Sequence, residues 1–460
     1  MSKKILIYGI GTFFSKILVF LMVPIYTRLL PAADYGYYDV IVADLQMLIS
    51  ISFIEIWSGI IRYMISDKEK FMVIKAFIKI SPVMLLGYTI MYMLLGNWLI
   101  MKYPTVIYIY GLSYLLFNVG NTICRGLDKN YDYVISGLLY TIISCALSIV
   151  FIVILYQNVK YILISQIIGY IVAALYVEMR TRAYRSAISL DAKKLYVKDL
   201  LLYCIPLMLN SFSFLFLGTY NKNIIMKHLG ESVSGQYAYV SKFSAILSIL
   251  ISIYSLAWQE EAFLNSENPE KAKVYSYYIN MFISFVGLAV PLYIVIAYFF
   301  SPLIGGSTYV ATVVLIPFVI LSAYISEVSG IFSTMIAVNK KTIQIFASTV
   351  IGAIVNVILV HFLIVPLGAN GASIALCVGF FVAATIRFIF SRKFFRIQIN
   401  IRIFLITIIE IVALFFLIMK GNQFTLSILA CIMFCIWVIF NRSNIREIYS
   451  KVLKIVERKK

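Results

Sequence analysis

The 460-residue sequence contains few charged residues. Only 13% of the residues are charged, whereas 62% are hydrophobic, and the mean hydropathy is +0.95. A soluble protein carries about a quarter charged residues, and one soluble core could not cover this much apolar surface. The scarcity of charge therefore excludes an ordinary soluble domain and predicts a chain that lies largely in lipid.

Residues that build metal centres, disulfides and acid–base pairs are also scarce. The two histidines, His228 and His361, are far apart in the sequence, and the six cysteines are scattered over apolar segments. We therefore expect no catalytic residues, no metal site and no disulfide framework. No Gly-rich loop ending in Lys-Ser or Lys-Thr occurs in the sequence, which excludes a single-chain ATP-driven pump.

Long apolar runs are what the sequence does contain. A helix that crosses the hydrocarbon core needs about 20 mostly apolar residues. About fourteen runs meet this requirement, and they lie near 5–28, 37–60, 73–96, 104–124, 133–156, 161–179, 200–220, 235–258, 274–300, 309–335, 343–364, 371–390, 402–420 and 424–440. These runs predict an all-α polytopic membrane protein with about fourteen transmembrane helices.

The positive charge is distributed unevenly between these runs. The net charge of +19 comes from 39 Lys and Arg residues, most of which lie near the two termini or in every second connection. The positive-inside rule places the termini and those connections in the cytoplasm, so the charge reflects topology and no nucleic-acid partner is expected. The longest outer connection is 221–234, which leaves no room for the external loop of a membrane polymerase or acyltransferase. No re-entrant filter segment occurs either, which disfavours a channel.

The two halves of the chain resemble each other. Residues 27–38 align without gaps to 226–237, and both stretches place a basic residue, a leucine and then Gly-x-Tyr at the start of a span. We predict two six-helix lobes in a parallel pseudo-two-fold repeat, with a site between them. The predicted divisions are an N-terminal lobe (1–190), a C-terminal lobe (191–400), two additional transmembrane helices (401–441) and a basic cytoplasmic tail (442–460).

The stretch Arg28-Leu29-Leu30-Pro31-Ala32-Ala33-Asp34-Tyr35-Gly36-Tyr37-Tyr38, which follows the first span, resembles the opening signature of the polysaccharide transporter family. These are O-antigen-type oligosaccharide flippases of the multidrug/oligosaccharidyl-lipid/polysaccharide exporter superfamily. The resemblance implies a secondary-type transporter in the bacterial plasma membrane, not an enzyme. It also implies alternating access, a cation-lined cavity and an undecaprenyl-diphosphate-linked oligosaccharide that moves from the cytoplasmic to the outer leaflet for surface polysaccharide biosynthesis.

Membrane lipids are the expected surroundings of such a flippase, and assembly proteins such as a polysaccharide polymerase are its expected partners. A multidrug or cation extruder and a lipid II flippase of the same superfamily are the alternatives. The charges placed deep in the predicted spans are at least as basic as acidic, which favours an anionic cargo over a cationic one.

Polar residues inside spans are the candidates for a substrate site, because an ionisable group at mid-membrane costs about 3 kcal/mol on insertion scales. Buried ammonium groups bind phosphate oxygens, but they also form structural ion pairs, for instance with Asp44. Polar side chains on the fourth span either line a cavity or bond between helices. Arg28 either binds lipid headgroups or anchors the chain at the outer surface. The substrate-binding candidates are Lys16, Arg28, Asp44, Asn118, Asn121 and Lys242.

Acidic residues inside spans are candidates for coupling transport to a cation, either H+ or Na+. Asp44 and Glu55 share one stripe of the second span if that span is one continuous helix, and Glu327 lies within the tenth span. A structural role is the alternative for all three residues, and no other cofactor is expected. Arg387 lies near the cytoplasmic end of its span, where its side chain is expected to snorkel to the membrane surface.

Overall fold

The computed structural model describes residues 17–66, 70–95, 102–155, 158–190, 197–265, 268, 270–339, 341–421 and 423–457. Across these ranges the chain is almost entirely helical, and no strand occurs in them. Ten of the described helices are long and apolar enough to cross a membrane, or eleven if one bent pair counts as a single span. The predicted all-α polytopic fold is therefore confirmed. The number fourteen and the cytoplasmic position of the termini stay predictions.

The helices follow one another with short connections. In chain order they are α1 (Val23–Leu29), α2 (Ala32–Ser52), α3 (Ile56–Ser66), α4 (Lys70–Leu95), α5 (Pro104–Gly126), α6 (Asn130–Val150), α7 (Val159–Thr181), α8 (Ala183–Ile188), α9 (Val197–Leu229), α10 (Glu231–Leu264), α11 (Lys271–Phe282), α12 (Ala289–Gly305), α13 (Ile316–Val338), α14 (Thr342–Phe394), α15 (Ile401–Lys420) and α16 (Gln423–Glu457). A π-helical turn extends α6 over Phe151–Leu155, a second one follows α11 over Ile283–Gly287, and a 3-10 helix at Ser307–Leu315 precedes α13.

Several predicted spans take a different form in the structure. The predicted spans 343–364 and 371–390 are the two arms of α14, which bends where Gly368 adopts a φ of 56°. The predicted second span is the bent pair α2 and α3, with 58° between the two helices. The predicted first span, 5–28, falls largely outside the described residues.

The chain divides into two compact units. Unit 1 comprises Met1–Met226 and Gly230–Gly235, and unit 2 comprises Lys227–Leu229 and Gln236–Lys460. The chain therefore passes between the units three times within residues 226–236. The lobe boundaries predicted from the repeat follow sequence similarity, whereas the two units follow contacts in the structure. The predicted lobes therefore stay a prediction.

An aromatic cluster joins α5, α6 and α7 in the interior of unit 1. The rings of Tyr140 and Tyr170 stack with centroids 4.3 Å apart, and Tyr110 packs edge-on against Tyr170 at 5.6 Å. At the other side of unit 1, α9 packs closely on α3, because a Cβ on Gly59 would lie only 2.5 Å from the Cys204 Sγ. This contact fixes the start of α9 against the helix pair α2–α3.

The connection between α9 and α10 differs from its prediction as an outer loop over 221–234. Helix α9 continues to Leu229 and α10 begins at Glu231, so the connection is the single residue Gly230, whose φ is 90°. Only glycine adopts this left-handed conformation without strain. The predicted loop was wrong because its polar residues belong to the last turns of a helix.

In unit 2, the last two helices pack on the π-helical turn after α11. The indole Nε1 of Trp437 donates to the Phe285 carbonyl at 2.9 Å, and Asn441 donates to the Ser284 carbonyl at 3.1 Å. Such turns leave backbone carbonyls without their α-helical partners, and α16 supplies donors for two of them. The arms of α14 approach closely at Gly352, where a Cβ would lie 2.6 Å from the Gly379 carbonyl oxygen.

Candidate functional site

A row of polar side chains connects α2 with α9 inside unit 1. At one end of this row, the Asp39 carboxylate lies 2.7 Å from the Lys222 ammonium group, and their side chains are 8% and 22% exposed. Asp39 comes seven residues after the start of α2, and Lys222 comes seven residues before the end of α9, which is about 10 Å along each helix. The ion pair therefore lies about two turns inside both helices, with the carboxylate buried and the ammonium group half-buried.

Asp44 continues this row along α2. Its carboxylate accepts a hydrogen bond from Asn223 Nδ2 at 2.7 Å, and Asn223 also donates to the Thr219 carbonyl of its own helix at 3.2 Å. The Asp44 residue is 3% exposed, and Lys222 lies close enough to act on its carboxylate electrostatically. Lys222 therefore pairs directly with Asp39 and lies within electrostatic range of Asp44.

Glu55 completes the row at the break between α2 and α3. Ile54 and Glu55 both have a φ near 50°, so α2 ends and the chain turns by 58° before α3 begins. Ser58 donates to Glu55 Oε1 at 3.4 Å, and Ser211 of α9 also interacts with this carboxylate. The continuous stripe that was predicted to carry Asp44 and Glu55 is therefore broken, because Glu55 lies on the left-handed turn between two helices.

We call these side chains the acidic seam, which comprises Asp39, Asp44 and Glu55 together with Lys222, Asn223 and Ser211 on α9. It contains three carboxylates and one ammonium group. Carboxylates withdrawn from water are costly unless a counter-charge, a proton or a cation compensates them. The arrangement can therefore take up a proton or a small monovalent cation, and a change in its charge would act on both α2 and α9.

The two glycines that open the repeated Gly-x-Tyr sequences, Gly36 and Gly235, meet beside this seam, within unit 1. A Cβ on Gly235 would lie 1.8 Å from the Ala32 carbonyl oxygen, and a Cβ on Gly36 would lie 2.4 Å from the Gly235 nitrogen. These two glycines occupy equivalent positions in the sequence repeat. Next to them, Lys102 pairs with Glu231 at 2.6 Å. The first turn of α10 therefore lies in backbone contact with the first turn of α2.

The other predicted substrate residues of unit 1 are dispersed. Lys16 lies outside the described residues, and Arg28 is exposed in the last turn of α1. Asn118 donates to the Tyr114 carbonyl of its own helix at 3.0 Å, which is a local role. Asn121 is half-buried, and its Oδ1 has no hydrogen-bond partner in the described part of the chain. Among the predicted substrate-binding residues that the structure describes in unit 1, Asp44 is the one that belongs to the acidic seam.

Unit 2 contains the two remaining predicted residues and one buried cation. Lys242 on α10 and Glu327 on α13 are half-buried. Arg387 was expected to snorkel, but it is only 7% exposed and is caged by hydroxyl groups. Its guanidinium donates to Ser348 at 2.8 Å, to Ser329 at 2.8 Å and to Thr349 at 2.6 Å.

The acidic seam changes the prediction of an anionic cargo, which was based on the charges deep in the predicted spans. Within the described part of unit 1, acidic groups outnumber basic ones in the seam, so charge alone no longer favours an anionic substrate. Sequence reasoning missed Asp39, Lys222 and Asn223. The four-residue spacing of Thr219, Asn223 and Lys227 indicated a polar helix face, and this signal could have identified Asn223. Among the described residues, no three His, Cys, Asp or Glu side chains converge as metal ligands.

Residues 1–258 match the family model described as "Polysaccharide biosynthesis protein". The chain belongs to this family. No curated protein sequence matches the chain significantly. The aligned region contains the whole acidic seam, from Asp39 to Asn223.

Solved structures show the same fold. The lipid II flippase MurJ in an inward closed conformation is similar over 96% of this chain and 100% of its own, with 15% identity and a TM-score of 0.69. An inward-facing MATE-family transporter of the MOP superfamily is similar over 82% of this chain and 94% of its own, with 17% identity and a TM-score of 0.66. A mutant of a Vibrio cholerae MATE transporter is similar over 85% of this chain and 96% of its own, with 15% identity and a TM-score of 0.57. The chain is therefore a multi-pass membrane protein with a transporter fold.

Proposed function

We propose that this chain is a flippase that moves an undecaprenyl-diphosphate-linked oligosaccharide from the cytoplasmic to the outer leaflet of a bacterial plasma membrane. The family match carries this proposal, because it links the chain to polysaccharide biosynthesis. The fold, shared with a lipid II flippase over nearly the whole chain, supports a lipid-linked diphosphate as the class of cargo.

The proposed energy source is a cation, H+ or Na+, that binds at the acidic seam. Asp44 is the first candidate for its ligand, because it is buried and shares one ammonium group with Asp39. A cation that replaces or displaces the Lys222 contact would loosen α9 from α2. Alternating access requires helices to shift relative to one another. Helix α9 is a suitable place for such a shift, because the chain passes from unit 1 into unit 2 near its end.

A deletion strain tests the cargo directly. We expect undecaprenyl-linked repeat units to accumulate on the cytoplasmic side of the membrane and the surface polysaccharide to disappear. The wild-type chain supplied from a plasmid should restore both. An unchanged surface glycan in the deletion strain would contradict the proposal.

The acidic seam also fits a cation extruder, since carboxylates attract cationic cargo. Two assays separate the alternatives: sensitivity of the deletion strain to cationic drugs, and rescue of a strain depleted of its lipid II flippase. We expect neither drug sensitivity nor rescue. Drug sensitivity with an intact glycan would assign the extruder function instead.

A further inference from the structure

The only two histidines of the chain lie side by side in unit 2. His228 is in the last turn of α9, and His361 is in the first arm of α14. Their ring centroids are 6.4 Å apart, and the ring planes are inclined by 79°. The sequence suggested that these residues were too scattered to act together, and the fold brings them into contact.

A second contact between the same two helices, next to His228, supports this proximity. Helix α9 ends at Leu229, directly before Gly230, which has a φ of 90°, and α14 bends at Gly368, with a φ of 56°. The side chain of Leu229 lies 4.0 Å from the position that a Cβ on Gly368 would take. The end of α9 therefore contacts the bend of α14, one residue after His228 and seven residues after His361.

Aromatic packing alone does not explain a histidine at each position. Both histidines are exposed, so their contact buries little apolar surface. The chain has 34 tyrosines and 33 phenylalanines for ring packing, but only two histidines. Unlike the rings of tyrosine and phenylalanine, an imidazole has a nitrogen lone pair, which binds first-row transition metals.

The separation of the rings fits two ligands of one metal ion after a small adjustment. Because metal–nitrogen bonds are about 2.0 Å long, two imidazoles at a tetrahedral angle have centroids about 5 Å apart. The observed rings are about 1 Å further apart than that. Exposed histidine side chains can close such a gap by rotation about χ1 and χ2.

We propose that His228 and His361 form a two-histidine site for a divalent first-row transition cation such as Zn2+, Ni2+ or Cu2+, with water completing the coordination. A bound ion would tie the last turn of α9 to the first arm of α14. The site takes its ligands from side chains outside the acidic seam, and it does not depend on the proposed transport activity.

The first test is metal binding to the full-length chain, purified in detergent without a histidine tag. We expect one Cu2+ per chain with a paramagnetic resonance spectrum of two nitrogen ligands, and saturable binding of Ni2+ by calorimetry. Changing either histidine to alanine should weaken binding about tenfold or more. Lys227→Ala is the matched control, because it alters the exposed neighbour of His228 without removing a ligand, and its affinity should equal that of the wild type.

The second test is thermal stability, because a ligand that binds only the folded state raises the melting temperature. Zn2+ should raise the melting temperature of the wild type and of Lys227→Ala but not of His361→Ala, and Ca2+ should raise none of them. Equal metal affinity in the wild type and in both histidine variants would mean adventitious binding elsewhere and would overturn the proposal. A spectrum of one nitrogen ligand that His361→Ala leaves unchanged would also overturn it.

Discussion

The two units hold their buried charges in different ways. In the described part of unit 1, Lys222 pairs with Asp39 and acts electrostatically on Asp44, across the two helices α2 and α9. In unit 2, the buried Arg387 is surrounded by neutral hydroxyl groups, and it forms no ion pair with a carboxylate in the described part of the chain.

This difference has a functional consequence. A set of carboxylates with too few counter-charges can exchange protons or cations, and its state can therefore follow the transport cycle. A guanidinium has a very high intrinsic pKa and keeps its charge, so a caged arginine cross-links helices without switching. Under the proposed function, we therefore expect the active role at the acidic seam and a structural role for the Arg387 cage.

The largest effect is expected from removing the shared cation. Lys222→Met leaves Asp39 and Asp44 buried without their counter-charge, and breaking a buried pair in this way costs about 3–5 kcal/mol. We expect loss of transport and a clear fall in the melting temperature of the detergent-purified chain. The double variant Asp39→Asn, Lys222→Met removes both charges of the pair but still leaves Asp44 without Lys222, so it should recover part of the stability. If the double variant is no more stable than Lys222→Met, loss of the Asp39–Lys222 pair is not the cause of the fall in melting temperature.

The next effect is expected at the glycine contact. Gly235→Ala would place a methyl group 1.8 Å from the Ala32 carbonyl oxygen, so α10 must move away from α2. Overpacking of this kind costs about 1–3 kcal/mol, and the melting temperature should fall accordingly. Gly87→Ala is the matched control, because nothing lies within 4 Å of the added methyl group. Alanine is the better helix former by about 1 kcal/mol, so this control should equal or exceed the wild type in stability.

A smaller effect is expected when the cage in unit 2 loses its cation. In Arg387→Leu, the hydroxyls of Ser348 and Thr349 keep the Ile345 carbonyl as an acceptor, at 2.7 and 2.9 Å. No buried charge is left behind, so we expect a loss of about 1–2 kcal/mol, in the range of a lost hydrogen-bonded group. Surface glycan display should survive when the strain expresses equal amounts of protein. A loss of stability as large as that of Lys222→Met would remove the contrast between the two units.

The smallest effect on stability is expected from neutralising one carboxylate. Asp44→Asn keeps a side chain that can bond to Asn223 and relieves a buried negative charge, so the melting temperature should change little. Transport should nevertheless lose its response to the cation gradient, because an amide cannot take up a proton or replace a carboxylate as a cation ligand. Glycan export measured with and without an uncoupler checks this, and a normal uncoupler response would exclude Asp44.

The membrane fold was accessible from the sequence because the length of an apolar run depends on the thickness of the lipid hydrocarbon core. The ends of the helices were harder to predict. Lys222 and Asn223 were assigned to an outer loop because they are polar, whereas they are polar because they face carboxylates on α2. Hydropathy cannot distinguish a polar loop from a polar helix face that a second helix covers.

The break within the second span had no sequence signal. Ile54 and Glu55 adopt left-handed conformations without a glycine or proline at the turn, so tertiary packing and not local propensity sets the bend. The same limitation applies to His228 and His361, whose proximity depends on how α9 and α14 pack. The repeat was more informative, since the glycines that it aligned, Gly36 and Gly235, lie in backbone contact.

The most direct measurement compares surface glycan in a deletion strain that expresses equal amounts of either Lys222→Met or Arg387→Leu. If the acidic seam carries the charge that drives transport, the glycan is lost with Lys222→Met and retained with Arg387→Leu. Retention with Lys222→Met, together with loss in a stably folded Arg387→Leu chain, would contradict the account.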